Sequence, residues 1–312
     1  MAGYEDLKKM WLDHEYVIAP LRSFGRNYFV DVNNGDDSGS GRTPNQAFET
    51  IQQAIDVMCA LRTSLGSTLM PVCRVYVAPG AYEENLAFSR IVSHWSIMGT
   101  GAHPEAVQVI APAVDSDEEL FYTPGASGFK LANMCFKFPV GVTSENAAIQ
   151  FDIANYGYIE DLRIYGDRDD ATPAPDYGIY IGNALGLEIR RNHIECFDED
   201  GVHFHGGADK FASYCEVYEN RIMRCLNAGV FKAQSCVSQA LQIYNNIIDQ
   251  HSLDGSYGIY VYDGPAAISG NKIMMGGTGD AIYPAADTAG VISVGNWTVL
   301  QGGVAVLERA EA

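Results

Sequence analysis

The phrase Gly178-Ile179-Tyr180 decides the fold, because the sequence repeats it at nearly regular intervals. A small residue, a branched apolar residue and usually an aromatic residue recur in Gly201-Val202-His203, Gly229-Val230-Phe231, Gly258-Ile259-Tyr260 and Ala281-Ile282-Tyr283. A degenerate copy, worn in that it lacks the ring, is Gly303-Val304-Ala305. The intervals are 23, 28, 29, 23 and 22 residues. A strand-like unit that recurs at this period is typical of a solenoid, in which each unit packs against the next.

A second phrase interleaves with the first: an Asn followed two residues later by a β-branched residue. It occurs as Asn192/Ile194, Asn220/Ile222, Asn246/Ile248, Asn271/Ile273 and Asn296/Thr298, at intervals of 28, 26, 25 and 25 residues. Two earlier segments, Leu131/Met134/Phe136 and Ile159/Leu162/Ile164, have the same offsets with an apolar residue in place of Asn. The two ladders predict an all-β parallel β-helix of about eight coils. Buried Asn side chains at one corner are expected to hydrogen-bond between coils, which is a structural role.

Composition restricts the class of partner. The chain has 312 residues, of which 47% are hydrophobic and only 19% charged, and its net charge is −19. Such an acidic surface argues against binding to nucleic acid or to an anionic membrane. No apolar stretch reaches the length of a membrane span. The acids and lysines of residues 1–15 do not form a signal peptide, so we expect none.

The cysteines predict neither a disulfide framework nor a zinc site. There are seven, an odd number, and no two are spaced as Cys-x-x-Cys: Cys59, Cys73, Cys135, Cys196, Cys215, Cys225 and Cys236. Most stand beside apolar residues and are expected to be small core side chains. This usage fits a protein that assembles in a reducing cytoplasm.

The first 27 residues are predicted to form an arm, and residues 28–312 a single β-helix domain. Within the arm, Leu7, Met10 and Trp11 share one face of a helix expected over residues 4–18. Three interpretations stay open for this helix: it lies on the β-coils, it anchors the chain to another protein, or it frays.

The start of the domain has a helix of its own. Strands are expected at Tyr28–Val32, Cys73–Ala78 and Val107–Ala111, and a helix over about 48–61. In that helix Phe48, Ile51, Ile55, Met58 and Cys59 share an apolar face.

These segments carry a family resemblance. It rests on Phe29-Val30-Asp31, Gly35-Asp36-Asp37, Phe48-Glu49-Thr50-Ile51-Gln52-Gln53-Ala54-Ile55 and the run from Val75 to Glu84 with its Pro79-Gly80-Ala81-Tyr82 turn. This opening resembles that of pectin-lyase-like right-handed β-helix proteins. The resemblance implies right-handed coils and a helix that plugs the N-terminal end of the solenoid. It implies no single activity, because both secreted polysaccharide enzymes and phage tail or capsid proteins begin in this way.

Alternation along the repeated strands predicts an aromatic stripe. If the branched residues point inward, the residues that follow them point outward and lie one above another. The stripe comprises Tyr180, His203, Phe231, Tyr260 and Tyr283. Three uses stay open: contact between copies in a homotrimer, stacking of sugar rings for carbohydrate binding, or coverage by loops.

The densest polar cluster surrounds the second copy of the phrase. Asp198, Asp200, His203 and His205 are expected on one face, and paired carboxylates with His suit glycoside hydrolysis. Polygalacturonases of the same fold have an Asp pair, a later Gly-His-Gly and an Arg-Ile-Lys. This chain has neither of the last two, so a turn beside the stripe is the competing interpretation, and no catalytic residue is assigned.

Calcium is the one cofactor that the sequence leaves open. Residues 198–200 and the loop Asn33–Ser38 are rich in carboxylates and amides. The loop lacks both the spaced acidic pattern and the terminal Glu of a calcium-binding loop. We therefore predict no metal, and no other cofactor motif is present.

Two main hypotheses for function follow. The first is a non-enzymatic virion protein: a capsid decoration, head fibre or short tail spike on the phage surface. It would be a homotrimer attached to other virion proteins through residues 4–18, and it leaves room for a host-surface glycan as ligand. The alternative is a polysaccharide depolymerase, either lyase or hydrolase, acting on an acidic polysaccharide. A carbohydrate-binding module without turnover is the third.

Overall fold

The computed structural model describes residues 25–65, 72–112, 119–139, 147–166, 175–207, 209–234, 236–250, 256–262, 264–276, 279–284, 290–300 and 305–307. The predicted arm helix over 4–18 lies outside these residues, as does most of the worn repeat at 303–305. The elements are numbered in chain order, and the strands form three long sheets.

The first sheet has ten parallel strands: β1 (Arg26–Val30), β2 (Cys73–Val77), β5 (Trp95–Gly99), β9 (Lys130–Ala132), β12 (Tyr158–Glu160), β15 (Glu188–Arg190), β19 (Glu216–Tyr218), β23 (Leu241–Tyr244), β26 (Ala266–Ser269) and β29 (Val291–Val294). The second also has ten: β3 (Gly80–Glu83), β6 (Val107–Ile110), β10 (Cys135–Lys137), β13 (Arg163–Tyr165), β16 (His193–Phe197), β20 (Arg221–Cys225), β24 (Ile247–Gln250), β27 (Lys272–Met275), β30 (Trp297–Leu300) and β31 (Ala305–Leu307). Its last strand, β31, runs antiparallel to β30.

The third sheet carries the repeated phrase. It comprises β4 (Leu86–Ala87), β7 (Phe121–Thr123), β8 (Ala126–Ser127), β11 (Ala147–Asn155), β14 (Tyr177–Leu185), β17 (Asp200–Phe204), β18 (Phe211–Ser213), β21 (Ala228–Lys232), β22 (Val237–Gln239), β25 (Tyr257–Val261) and β28 (Ile282–Pro284). The chain visits the third, first and second sheets in turn and then starts the next coil. The predicted parallel β-helix is therefore confirmed.

One corner has the same backbone conformation in successive coils. Between the first and second sheets a single residue adopts a left-handed conformation, with φ between 54° and 67°, at Asn133, Asp161, Arg191, Glu219, Asn245, Gly270 and Gly295. The next residue turns its side chain into the corner. From Asn192 onward that residue is Asn, and each Asn bonds to the next at 2.9–3.0 Å.

The N-terminal helix is present as α1 (Ile51–Leu65), beginning three residues later than predicted. Phe48 cannot join the helix because it forms a β-bridge with Val30. The carboxylate of Glu84 accepts hydrogen bonds from the first helical N–H groups, those of Ile51 at 2.8 Å and Gln52 at 2.9 Å. The motif that carries the resemblance thus supplies the cap of α1.

The core fills the interior of the coils. Buried and partly buried residues alternate in the strands, as in β2, where Cys73, Val75 and Val77 face inward. All seven cysteines are buried and none forms a disulfide, which fits their prediction as core residues. No described helix is long and apolar enough to cross a membrane.

Candidate functional site

The predicted stripe is a continuous column of stacked rings. Strand register places Tyr180, His203, Phe231, Tyr260 and Tyr283 at one position in five successive strands. Neighbouring ring centroids are 5.2, 5.1, 5.0 and 5.0 Å apart, with interplanar angles of 3°, 19°, 27° and 33°. The branched residues beside these rings face inward along most of the column, as at Ile179 and Val202.

The stacking decides which part of each ring reaches the surface. Each face is covered by the ring of the coil above or below, so the rings present their edges. Aromatic pairs at this spacing gain stacking energy as well as buried area. A sugar ring packs on an aromatic face, and along the inner part of the column no face is open. The column can therefore form edge contacts and hydrogen bonds, but it is not a platform for sugars.

Three further tyrosines widen the column. Tyr177 lies 4.5 Å from His203, Tyr257 lies 4.8 Å from Tyr260, and Tyr262 lies 6.1 Å from Tyr260, measured between ring centroids. We call these three residues and the column together the aromatic face. Tyr262 is the most exposed, at 36%.

The structure brings Asp200 and His203 together on one face, as expected. Strict alternation would separate Asp200 from His203, yet Asp200 Oδ2 lies 2.7 Å from His203 Nδ1. Both side chains point outward because Gly201 and Val202 both face the core. An added Cβ at Gly201 would lie 2.4 Å from Ile222 Cγ2, inside the solenoid.

Asp200 is occupied on both carboxylate oxygens. Asn227 Nδ2 donates to Oδ1 at 2.9 Å, and His203 binds Oδ2. The side chain is almost fully buried, and this burial raises the pKa of Asp200, while the bonds to His203 and Asn227 oppose the rise. Asp200 can orient His203, but it offers no open carboxylate to a substrate.

The raised pKa of Asp200 has a consequence for stability. A carboxyl whose pKa is higher in the folded chain contributes stability below its unfolded pKa and loses it as pH rises through the folded value. We expect Asp200→Asn to lose this dependence, so its free energy of unfolding should fall less than that of the wild type above pH 3.8, the ordinary value. Urea unfolding across pH checks this, with the exposed Asp56→Asn as control. Parallel pH profiles of the wild type and Asp200→Asn would contradict it.

The other two candidates take different places. The ring of His205 lies 5.3 Å from Tyr180 and 6.2 Å from His203, so it borders the column. Asp198 lies in the turn before β17, where its N–H donates to Pro175 O. Burial and the charges of Asp200 and Asp198 raise the pKa of Glu199. The structure therefore joins Asp200, His203 and His205, and leaves Asp198 in the adjacent acidic turn.

In and beside the loop Asn33–Ser38, which the sequence left open as a calcium site, carboxylates accept hydrogen bonds from nearby backbone N–H groups. Asp31 Oδ1 accepts from the N–H groups of Asn33 and Asn34, and Asp36 Oδ1 accepts from Ser38. Asp37 Oδ1 accepts from the N–H groups of Glu49 and Thr50, the two residues before α1. Across the described ranges, no three His, Cys, Asp or Glu side chains are placed to hold a metal ion. The prediction of no metal, with calcium left open, stays untested.

Comparison with known proteins identifies the fold family. The family described as "Right handed beta helix region" matches residues 133–296, slightly more than half of the chain. The protein belongs to the right-handed β-helix family. The expected handedness of the coils is thereby confirmed. No curated protein sequence matches the chain.

Several solved structures are similar to this chain. GH136 lacto-N-biosidase from Eubacterium ramulus has a TM-score of 0.53 and 14% identity, covering 96% of this chain and 60% of the other. Pectate lyase Pel9A has a TM-score of 0.49 and 10% identity, covering 92% of this chain and 78% of the other. ORF18 of Geobacillus virus E2 has a TM-score of 0.48 and 12% identity, covering 93% of this chain and 63% of the other. The chain spans less than two thirds of the first and third, and at these identities the likeness shows the fold alone.

The β-helix also carries two clusters that the sequence did not predict. On the first sheet, Arg190 binds Glu160 at 2.6 Å, Glu188 at 2.8 Å and the Tyr218 hydroxyl at 2.7 Å. On the second sheet, Arg163, His193 and Arg221 form a column. A signal existed for the second cluster, because each member directly follows a residue of the Asn-ladder position, namely Leu162, Asn192 and Asn220.

Proposed function

We propose that this β-helix is a non-enzymatic structural protein of a phage particle, a capsid decoration, head fibre or short tail spike, and that it assembles as a homotrimer through its aromatic face. The observation that carries the proposal is the column of stacked rings on the outside of the third sheet. Tyrosine edges and hydroxyls on a rigid support suit protein contacts, in which Tyr is enriched.

Rigidity supports this assignment. Each ring is held between its neighbours, so little side-chain entropy is lost when a second copy packs against the ring edges. Seven buried cysteines without a disulfide also fit assembly in a host cytoplasm. Attachment through residues 4–18 belongs to the same proposal, as does a host glycan bound by hydroxyl hydrogen bonds.

The mass of the protein in solution tests the proposal. We expect a trimer of the 33.9 kDa chain that dissociates at least tenfold more readily in Tyr262→Asp, because a charge then sits in the contact. Tyr262 flanks the column without being stacked within it, so this variant should fold. Tyr76→Asp, on the first sheet, is the matched control and should stay trimeric. Sedimentation velocity across concentrations reads the result. A monomeric wild type, or a Tyr262→Asp variant as tightly associated as the control, would overturn the proposal.

A second candidate, a polysaccharide depolymerase, is favoured by one observation. The bond from Asp200 fixes His203 Nδ1 and leaves Nε2 for proton transfer, an arrangement that suits a general base. Incubation with acidic polysaccharides, followed by reducing ends and by absorbance of unsaturated products, tests this candidate. Turnover that is lost in Asp200→Asn would replace the non-enzymatic proposal. We expect no turnover, because both oxygens of Asp200 are engaged and His203 is enclosed in the stack.

A further inference from the structure

We infer that the groove between the Asn-ladder corner and the second sheet binds an oxyanion, a carboxylate or phosphate group of a soluble ligand, between Arg163 and Arg221. This site lies on a different sheet from the aromatic face and does not depend on the function proposed above.

Strand register brings the two guanidinium groups together. Arg163 pairs with His193 across β13 and β16, and His193 pairs with Arg221 across β16 and β20. Neighbouring strands lie about 4.8 Å apart, so the two arginines stand about 10 Å apart on one outward column. Long side chains from both positions can converge on one ligand lying over His193. The groove that they line has a volume of about 410 Å³.

The residue between the arginines carries no compensating negative charge. Arg163 Nη1 donates to His193 Nδ1, and His193 Nε2 lies 2.8 Å from Glu195 Oε2. Nδ1 must accept and Nε2 must donate, which is the neutral tautomer of the imidazole. Burial lowers the pKa of His193, the charges of Arg163 and Arg221 lower it further, and Glu195 opposes them. His193 therefore positions Arg163 without neutralising it.

The nearby carboxylates are mostly committed to other arginines. Asp161 forms two hydrogen bonds with Arg191, each 2.8 Å long, and Glu195 pairs with Arg224. Across the described ranges, neither Arg163 nor Arg221 has a carboxylate within 4.0 Å. Exposed Glu219 lines the groove together with Asp161, and it is the one of these two carboxylates that does not pair with Arg191.

This pattern differs from the rest of the surface. The chain as a whole carries a net charge of −19 and repels anions, so two arginines without a carboxylate partner, one on each side of a neutral imidazole, form a local exception. Guanidinium groups bind carboxylate and phosphate oxygens through paired N–H donors. The wall of the groove is rigid, because Asn192 Oδ1 accepts from the N–H of Leu162 within the Asn ladder.

Calorimetric titration of the full chain at low ionic strength tests the inference, with inorganic phosphate, glucuronate and uncharged glucose as separate probes. We expect phosphate or glucuronate to bind, and glucose not to bind. The anion that binds more tightly, phosphate or glucuronate, indicates whether the natural ligand carries a tetrahedral or a planar oxyanion. Affinity should fall at least tenfold in Arg163→Gln and in Arg221→Gln.

Two further variants make the test specific. Arg74→Gln removes an equal charge from the first sheet and should change affinity less than twofold. Glu219→Gln removes the opposing carboxylate and should raise affinity. Circular dichroism and the melting temperature establish that each variant is folded. Absence of anion binding to the wild type, or equal losses in Arg74→Gln and Arg221→Gln, would overturn the inference, since the second result reflects only net charge.

Discussion

Replacing Asn220 by Ala is expected to lower the free energy of unfolding by about 3–5 kcal/mol, because it leaves several buried polar groups without hydrogen-bond partners at once. Asn220 Oδ1 accepts from both the backbone N–H and the side-chain Nδ2 of Asn192, each at 3.0 Å. Its own Nδ2 donates to Ile189 O at 2.8 Å and to Asn246 Oδ1 at 3.0 Å. The site is 1% exposed, so water cannot replace these bonds.

Denaturant unfolding of the variant and the wild type measures the loss. Asn155→Ala is the matched control, because Asn155 Oδ1 is buried with no hydrogen-bond partner in the described part of the chain. The control should cost less than about 1 kcal/mol, since it leaves no new group unpaired. Equal losses in the two variants would mean that the ladder bonds add nothing beyond ordinary packing.

The ladder shows how much of the fold the sequence could predict. Its period and its polarity are both visible in the chain, because a buried Asn that repeats at one interval has few roles other than pairing with its copies. Even its beginning is visible, since Met134 and Leu162 hold the same position in earlier coils. Leu162 donates its backbone N–H to Asn192 Oδ1, so the ladder starts by capping an apolar coil.

The candidate site was harder to predict, for two physical reasons. Asp200 and His203 were expected on one face, but strict alternation cannot place them there; they meet because Gly201 lets two successive residues face inward. Periodicity places rings in a column but does not fix their tilt. It could not distinguish open faces, which suit sugars, from the covered faces found here.

The arginine and histidine column on the second sheet was not predicted from the sequence for a related reason. Arg163, His193 and Arg221 are far apart in sequence and look like ordinary surface residues. The register of the second sheet brings them into one column, and the one sequence signal for this register is that each follows an Asn-ladder position. The pairing of Asp161 with Arg191, which leaves the other two arginines uncompensated, depends on side-chain directions at a left-handed corner.

Replacing Gly229 by Ala is expected to destabilise the chain by about 3 kcal/mol, at the upper end for overpacking a core by one methyl group. A Cβ at this position would lie 2.6 Å from Ile248 Cγ2 and 2.8 Å from the backbone oxygen of Gly258 in the next coil. The isoleucine can turn, but the oxygen is held in a parallel sheet and cannot move without shifting the coil. Thermal and urea unfolding measure the effect.

Gly125→Ala is the matched control for Gly229→Ala. Gly125 is also buried, but the atoms nearest to its added Cβ are Ile91 Cγ1 at 3.2 Å and Ile153 Cβ at 3.3 Å, both farther away than the contacts at Gly229, and neither is a backbone oxygen. The control should therefore cost clearly less, and equal losses would show that backbone approach is not the cause.

The last full copy of the phrase fits this account. It has Ala281 in place of Gly just before β28, the edge strand of the third sheet, where the described coils place no further strand beneath it. At Gly178, Gly201, Gly229 and Gly258, by contrast, an added Cβ would lie 2.4–2.8 Å from the backbone oxygen of the residue that begins the phrase in the next coil, so in these four copies the missing side chain lets successive coils approach closely.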